Sequence, residues 1–139
     1  YKNKPDSVIM VYGETPYAEG EGDIKSLDFS SKNTLIIKAM SSLSKKDIPI
    51  ISLFITGRPL IVNKELNLSS AFVSIWHPGT AVEGINDVIF SNKDNSINHN
   101  FKGKLSFSWP SETSINPLNI SDTEYNPLFK YGYGLSYEN

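Results

Sequence analysis

Four carboxylates crowd the loop that follows the first apolar run of the chain. Val8–Asp23 reads VIMVYGETPYAEGEGD, and Glu14, Glu19, Glu21 and Asp23 fall in its later part with Tyr17 among them. Gly13, Pro16, Gly20 and Gly22 punctuate the loop, and no Lys or Arg lies inside it. Carboxylates held this close repel one another, so one of them is expected to keep its proton to higher pH than an isolated acid. A protonated carboxyl near neutral pH is what a general acid requires. The competing reading is a solvated acidic turn without chemistry.

Other residue types with chemical reach are sparse. Arg58, the only arginine, sits between Gly57 and Pro59. A planar bidentate donor there would pair with a loop acid, Glu14 or Asp23, and hold the loop rigid. His77 lies in the turn His77-Pro78-Gly79, where a lone His is expected to be solvated. His99 lies in an Asn-rich stretch without partners at metal-ligand spacing. No D-x-[DN]-x-[DN]-G loop and no G-x-S-x-G is present, so neither a metal, a cofactor nor a serine triad is expected. The absence of Cys removes disulfides, thiol catalysis and cysteine zinc sites. Trp76 and Trp109 each end an apolar run and are expected to pack in a core rather than stack on a ligand.

The elements that must position these residues follow from the hydrophobic pattern. Ser7–Tyr12 reads as a buried strand, and the acidic loop runs from it to about Leu27. Ser30 or Ser31 caps a predicted helix over Lys32–Leu43, with Leu35, Ile36, Ala39, Met40 and Leu43 on one face. Pro49–Thr56 is continuous apolar sequence rich in β-branched residues, the profile of a central parallel strand. Leu60–Leu68 is either a short helix or an extended connector. Ala71–Trp76 reads as a third strand. A helix is predicted over Ala81–Phe90 with Val82, Ile85, Val88 and Ile89 inward, and a one-face-covered strand over Lys104–Trp109. Ser91–Lys102 is polar and turn-like.

This order predicts an α/β layered domain, a mainly parallel sheet flanked by helices. Sites in such sheets form at the carboxyl ends of the strands. Three sharp loops follow strands here, Gly13–Asp23, Gly57–Pro59 and His77–Thr80, and they are expected to lie together on one edge.

The chain has 139 residues, 39% hydrophobic and 20% charged, which suits one globular domain with a real core. A formal net charge of -2 argues against nucleic acid or an anionic membrane as partner. No stretch has the length of a membrane span. The first residue is Tyr1 rather than Met, so the chain is expected to be processed or part of something longer. Any secretion signal would then lie upstream, and a periplasmic or secreted place is compatible with the sequence without being assigned by it.

The segments GETPYAEGEGD (Gly13–Asp23), SLFITGRPLIV (Ser52–Val62), WHPGT (Trp76–Thr80), GKLSFSWP (Gly103–Pro110) and YNPLFKYGYGLSY (Tyr125–Tyr137) occur in the order, and over nearly the whole length, of one known domain. The chain resembles the C-terminal α/β-sandwich domain of glycoside hydrolase family 3, the β-glucosidases and exo-β-glucanases. The resemblance implies a retaining exo-hydrolase that removes β-linked glucose from a β-glucoside or β-glucan oligosaccharide. It implies an Asp nucleophile supplied by an N-terminal (β/α)8 barrel, a partner this chain does not contain. It also implies a general acid/base from the G-E-x-P-Y-x-E-x-x-G-D loop, with Glu19 as candidate and Glu14 as rival. Tyr17, Asp23, Arg58 and His77 become candidates for substrate binding or loop positioning, Asp23 by bonding turn amides. Residues 1–139 are expected to form a single domain of that kind, inert alone. The alternative is a stand-alone, non-catalytic carbohydrate-binding or interaction domain on the same fold.

Overall fold

The apolar run after Pro49 becomes β2 (Ile50–Ile55), the middle strand of a three-stranded parallel sheet. The computed structural model describes residues 3–114 and 117–138; Tyr1, noted above for its identity, lies outside them. β1 (Val8–Gly13) and β3 (Ala71–Ser74) flank β2. Val8 pairs with Ile50 and Gly13 with Ile55 on one side, and Ile51 pairs with Ala71 and Phe54 with Ser74 on the other. The chain divides into two compact units, one running to His77 and including Ser111–Thr113, the other made of Pro78–Pro110 and the remainder.

Parallel neighbours need a crossover, and helices supply both. α1 (Phe29–Lys32) and α2 (Thr34–Ser44) connect β1 to β2, and α3 (Asn63–Leu68) connects β2 to β3. The helix predicted over Lys32–Leu43 is α2, and the short α1 before it was not predicted; the two are separated at Asn33, whose φ of -123° is not helical. The cap is Asp28, which accepts from the Ser31 amide, and not Ser30 or Ser31. Ser30 is buried, and its hydroxyl is committed to Glu65 instead. In α2, Met40 is fully buried while Leu35 is 78% exposed. The covered stripe therefore runs through Ile36, Met40 and Leu43, and the predicted face loses Leu35 and Ala39. The ambiguous segment splits: Ile61 bridges to Asp28 in extended form, and α3 follows.

The core of this first unit is Tyr12, Phe29, Met40, Ile48, Ile50, Leu53, Phe54, Leu60 and Val62. Phe54 sits at its centre, edge-on to Phe29 at 5.0 Å and tilted against Tyr12 and Phe72. Burying a side chain of this size contributes roughly 1.5–3 kcal/mol. β1 is not the fully buried strand its run of apolar residues predicts. Among the described residues it pairs with β2 alone, and Ile9 and Val11 are exposed.

In the second unit, α4 (Glu83–Ile89) is shorter than predicted. Ile85, Val88 and Ile89 are half-buried, and Val82 is exposed. The strand predicted over Lys104–Trp109 is reduced to β4 (Trp109–Pro110), which pairs antiparallel with β5 (Pro127–Phe129) and does not extend the parallel sheet. Leu105 exchanges backbone bonds with the turn at Gly132 and Tyr133, which takes up the groups a ladder would have used. Trp109 is buried, as its place at the end of an apolar run predicts.

Candidate active site

Gly13 ends β1 so close to β2 that a Cβ there would lie 1.8 Å from the Ile55 carbonyl oxygen. The next residue keeps the strand pairing, its amide donating to Ile55 O at 2.8 Å. That fixes the backbone of Glu14 at the carboxyl edge of the sheet. The Glu14 side chain turns inward, only 15% exposed. Its Oε2 accepts from the Thr56 hydroxyl at 2.8 Å, and its Oε1 lies 3.3 Å from Arg58 Nε. The Arg58 N–H is not aligned for a hydrogen bond, so this contact is an ion pair through one nitrogen and not the bidentate clamp the residue type allows.

Arg58 spends its flat face elsewhere. Its guanidinium carbon stands 4.1 Å over the centre of the Tyr17 ring, a cation–π contact. Tyr17 in turn covers Gly22, where a Cβ would come within 2.2 Å of the ring. The ring also meets His77 edge-on, with centroids 6.2 Å apart and planes at 84°. His77 is therefore packed against an aromatic neighbour while remaining exposed. Gly57 lies beneath both, since a Cβ there would be 2.6 Å from the Tyr17 hydroxyl and 3.1 Å from His77 Nε2. Glu14, Tyr17, Arg58 and His77 thus gather at the strand ends, where residues of the three loops were expected to meet.

Glu19, Glu21 and Asp23 are exposed on the turn that follows Tyr17. Gly22 N–H donates to Ala18 O at 3.0 Å and Asp23 N–H to Gly20 O at 3.2 Å, which closes the turn. Asp23 contributes its own amide, and its carboxylate bonds no turn amide among the described residues. The Glu19 carboxylate has no hydrogen bond or ion pair among the described residues. A cavity of about 360 Å³ opens beside the loop, lined in part by Glu14, Tyr17, Glu21, Asp28, Lys32 and Arg58. Glu19 is not in its wall. Among the described residues, no three His, Asp or Glu are grouped to hold a metal ion.

Trp76 follows β3 with a φ of 52° and is 38% exposed, so it is not the core residue its sequence position predicts. A bulky residue in the left-handed region is strained, and such residues gather near functional sites.

Sequence reasoning missed Thr56, whose only signal is a hydroxyl at the end of an apolar run. It also missed a second carboxyl, Glu65 on α3, fully buried in the interior of the same unit. Glu65 Oε2 accepts from Ser30 at 2.8 Å, and Oε1 has no hydrogen-bond partner among the described residues. Burial raises its pKa, its own amide and Ser30 oppose that, and the charge of Asp28 adds to it. A line of hydroxyls runs beside it. Tyr12 donates to Ser52, Ser52 meets Ser69 at 2.7 Å, and Ser69 donates to the Glu65 carbonyl. Burial pushes the Tyr12 phenol up to about 12, against the bond to Ser52 and with help from Glu65.

Known proteins share this arrangement of sheet and loops. The family model described as glycosyl hydrolase family 3 C-terminal domain matches residues 1–137. The crystal structure of an exo-1,3/1,4-β-glucanase from a Pseudoalteromonas species superposes with a TM-score of 0.92 at 47% identity, covering 100% of this chain and 17% of that one. A β-glucosidase from Listeria innocua, solved in complex with gluconolactone, gives a TM-score of 0.70 at 26% identity, over 95% of this chain and 20% of that one. Among curated relatives, a lysosomal β-glucosidase of Dictyostelium discoideum is 30% identical over 95% of this chain and 16% of its own length. A β-xylosidase of Formosa agariphila is 28% identical over 95% of this chain and 19% of its own. The chain spans less than a fifth of either curated relative. With its parallel sheet, its acid-rich loop at the strand ends and a family match across nearly its whole length, this chain belongs to the C-terminal domain family of glycoside hydrolase family 3.

Proposed function

We propose that this chain supplies the general acid/base, Glu19, to a retaining exo-β-glucosidase or β-glucanase whose Asp nucleophile comes from a barrel domain. The observation that carries this reading is the contrast between the loop's two rival carboxylates. Both oxygens of Glu14 face fixed groups, Thr56 and Arg58, whereas Glu19 stands exposed and uncommitted on the turn. A proton donor must reach the glycosidic oxygen of a bound sugar, which an exposed turn residue can do and a tethered one cannot.

In the first half-reaction the Glu19 carboxyl gives its proton to the leaving oxygen while the barrel's Asp attacks the anomeric carbon. In the second, the Glu19 carboxylate takes a proton from water as that water attacks the anomeric carbon and releases the barrel's Asp carboxylate from the sugar. The two carboxyls must then stand about 5–5.5 Å apart. Glu14 and Arg58 anchor the base of the loop, Tyr17 joins the anchor to the turn, and Asp23 closes the turn through its amide. His77 packs on Tyr17 at the rim. Glucose is the sugar favoured by the 47% identical exo-1,3/1,4-β-glucanase.

The test is Glu19→Ala in the full-length protein that carries this chain beside its barrel. Loss of general acid catalysis is worth about 10²–10⁴ in rate, concentrated on substrates with poor leaving groups. Alkyl or oligosaccharide β-glucosides should lose turnover by that factor, and activated aryl β-glucosides far less. Equal loss on both classes, or measurable turnover by the isolated chain, would reject the assignment.

A further inference from the structure

We infer that Thr56 is a positioning residue for the acidic loop, setting where Glu19 stands through its hydroxyl contact with Glu14. This rests on the reading of Glu19 as the acid/base.

Thr56 follows β2 directly and is fully buried. Its Oγ1 accepts from the Arg58 amide at 3.2 Å. The single hydroxyl proton then faces two acceptors, Glu14 Oε2 at 2.8 Å and the Arg58 carbonyl at 2.6 Å. One side chain therefore ties the first residue of the acidic loop to the backbone of the Gly57–Pro59 turn. A hydrogen bond to an ionised carboxylate is about twice as strong as a neutral one, so the contact with Glu14 is the energetically significant one.

The tie propagates along the loop. Glu14 is three residues before Tyr17, and the Tyr17 ring meets Arg58 and also covers Gly22. The turn between Tyr17 and Gly22 is closed by the Ala18–Gly22 hydrogen bond. Glu19 thus rides on a short bridge whose two ends meet each other and whose Tyr17 meets the turn after β2. At its base the bridge is tied by the Glu14 amide to Ile55 and by the Glu14 carboxylate to Thr56, besides the contact of Tyr17 with Arg58. Releasing the Glu14 carboxylate removes one of these ties, and a displacement of about 1 Å at a reacting group costs on the order of 10²-fold in rate.

Thr56→Val keeps the shape and removes only the hydroxyl. In the full-length enzyme it should lower kcat on poor-leaving-group β-glucosides by about 10- to 100-fold with KM little changed, and spare activated aryl glucosides. Thr56→Ser, which restores the hydroxyl, should recover most of the loss. A residue that merely stabilised the fold would shift melting temperature without this leaving-group split. Equal loss on both substrates, no loss, or no recovery with Ser overturns the inference. Should Thr56→Val fail to fold, Glu14→Gln carries the test, with the same selective loss in its favour and a uniform loss against it. Glu19→Ala in parallel separates the two failures. If it shows no leaving-group selectivity, the acid/base reading falls; if it does and Thr56→Val does not, only the role of Thr56 falls.

Discussion

Two polar clusters in the first unit use the same residue types to opposite ends. At the carboxyl edge of the sheet, Glu14 meets a hydroxyl and a cation, and its neighbours Tyr17 and His77 are open to solvent. In the interior, Glu65 meets the Ser30 hydroxyl with no cation bonded to it, and its surroundings are sealed. The edge cluster neutralises its carboxylate and uses it as an anchor. The interior cluster spreads polar groups through a core and leaves one carboxyl oxygen without a partner, which costs stability unless that carboxyl carries a proton. A buried polar group is thus not by itself a sign of function. What separates the clusters is a balanced charge and a route to solvent at the strand ends.

Three measurements break or sharpen this contrast. The largest effect is expected at the edge. Arg58→Met leaves Glu14 without its cation and Tyr17 without its cover, and should destabilise by about 1–3 kcal/mol, between the values for exposed and buried pairs. Urea unfolding measures it, and a change within error would mean that the ion pair holds nothing. Next is the interior carboxyl. Its folded pKa is raised, so its contribution to stability is complete below the ordinary Glu range and is lost as pH rises through the raised value. Relative to Glu65→Gln, the native chain should lose about 1.4 kcal/mol for each pH unit crossed between those two points. Parallel curves of unfolding free energy against pH would show that Glu65 ionises as readily folded as unfolded.

The smallest effect is expected at Tyr12. Removing its hydroxyl in Tyr12→Phe takes one bond from Ser52, which keeps Ser69, and should cost about 1 kcal/mol at neutral pH. The native phenol's pKa is raised to about 12, so the stability it contributes falls away as pH rises from about 10 through that value. The Phe variant should therefore lose less stability than the native chain above pH 10, as read by alkaline unfolding.

The edge cluster was legible in the sequence because its residues announce themselves locally. Glycines and acids sit side by side after an apolar run, and Gly57-Arg58-Pro59 ends another. The three parallel strands were legible for the same reason, since each apolar run is bounded by turn residues. The interior cluster was not, because Ser30, Ser52, Glu65 and Ser69 are scattered over α1, β2, α3 and the residue that follows α3, and each looks like an ordinary surface residue. The short α1 was not legible, because Ser30, Ser31 and Lys32 carry no hydrophobic pattern and the periodic residues begin only at Leu35. In the second unit, alternation over Lys104–Trp109 marked burial at Trp109 and partial cover at Leu105, while Phe107 is exposed, and it did not mark a strand, because Leu105 takes its backbone partners from a turn. Periodicity reports which side chains can be covered, and the ladder is decided by which backbone lies alongside.

The pairing of Gly13 with Ile55 also bears on how the protein comes together in time. Glu14 and Thr56 stand 42 residues apart in the chain and meet only where two parallel strands end. Joining them means closing that loop against its entropy before any contact repays it, which makes such pairings slow compared with local helix formation. A partly folded chain can hold α2 and still lack every contact that orients the acidic loop. The loop's geometry therefore depends on the sheet, so refolding followed at the loop is expected to be no faster than refolding followed at the sheet.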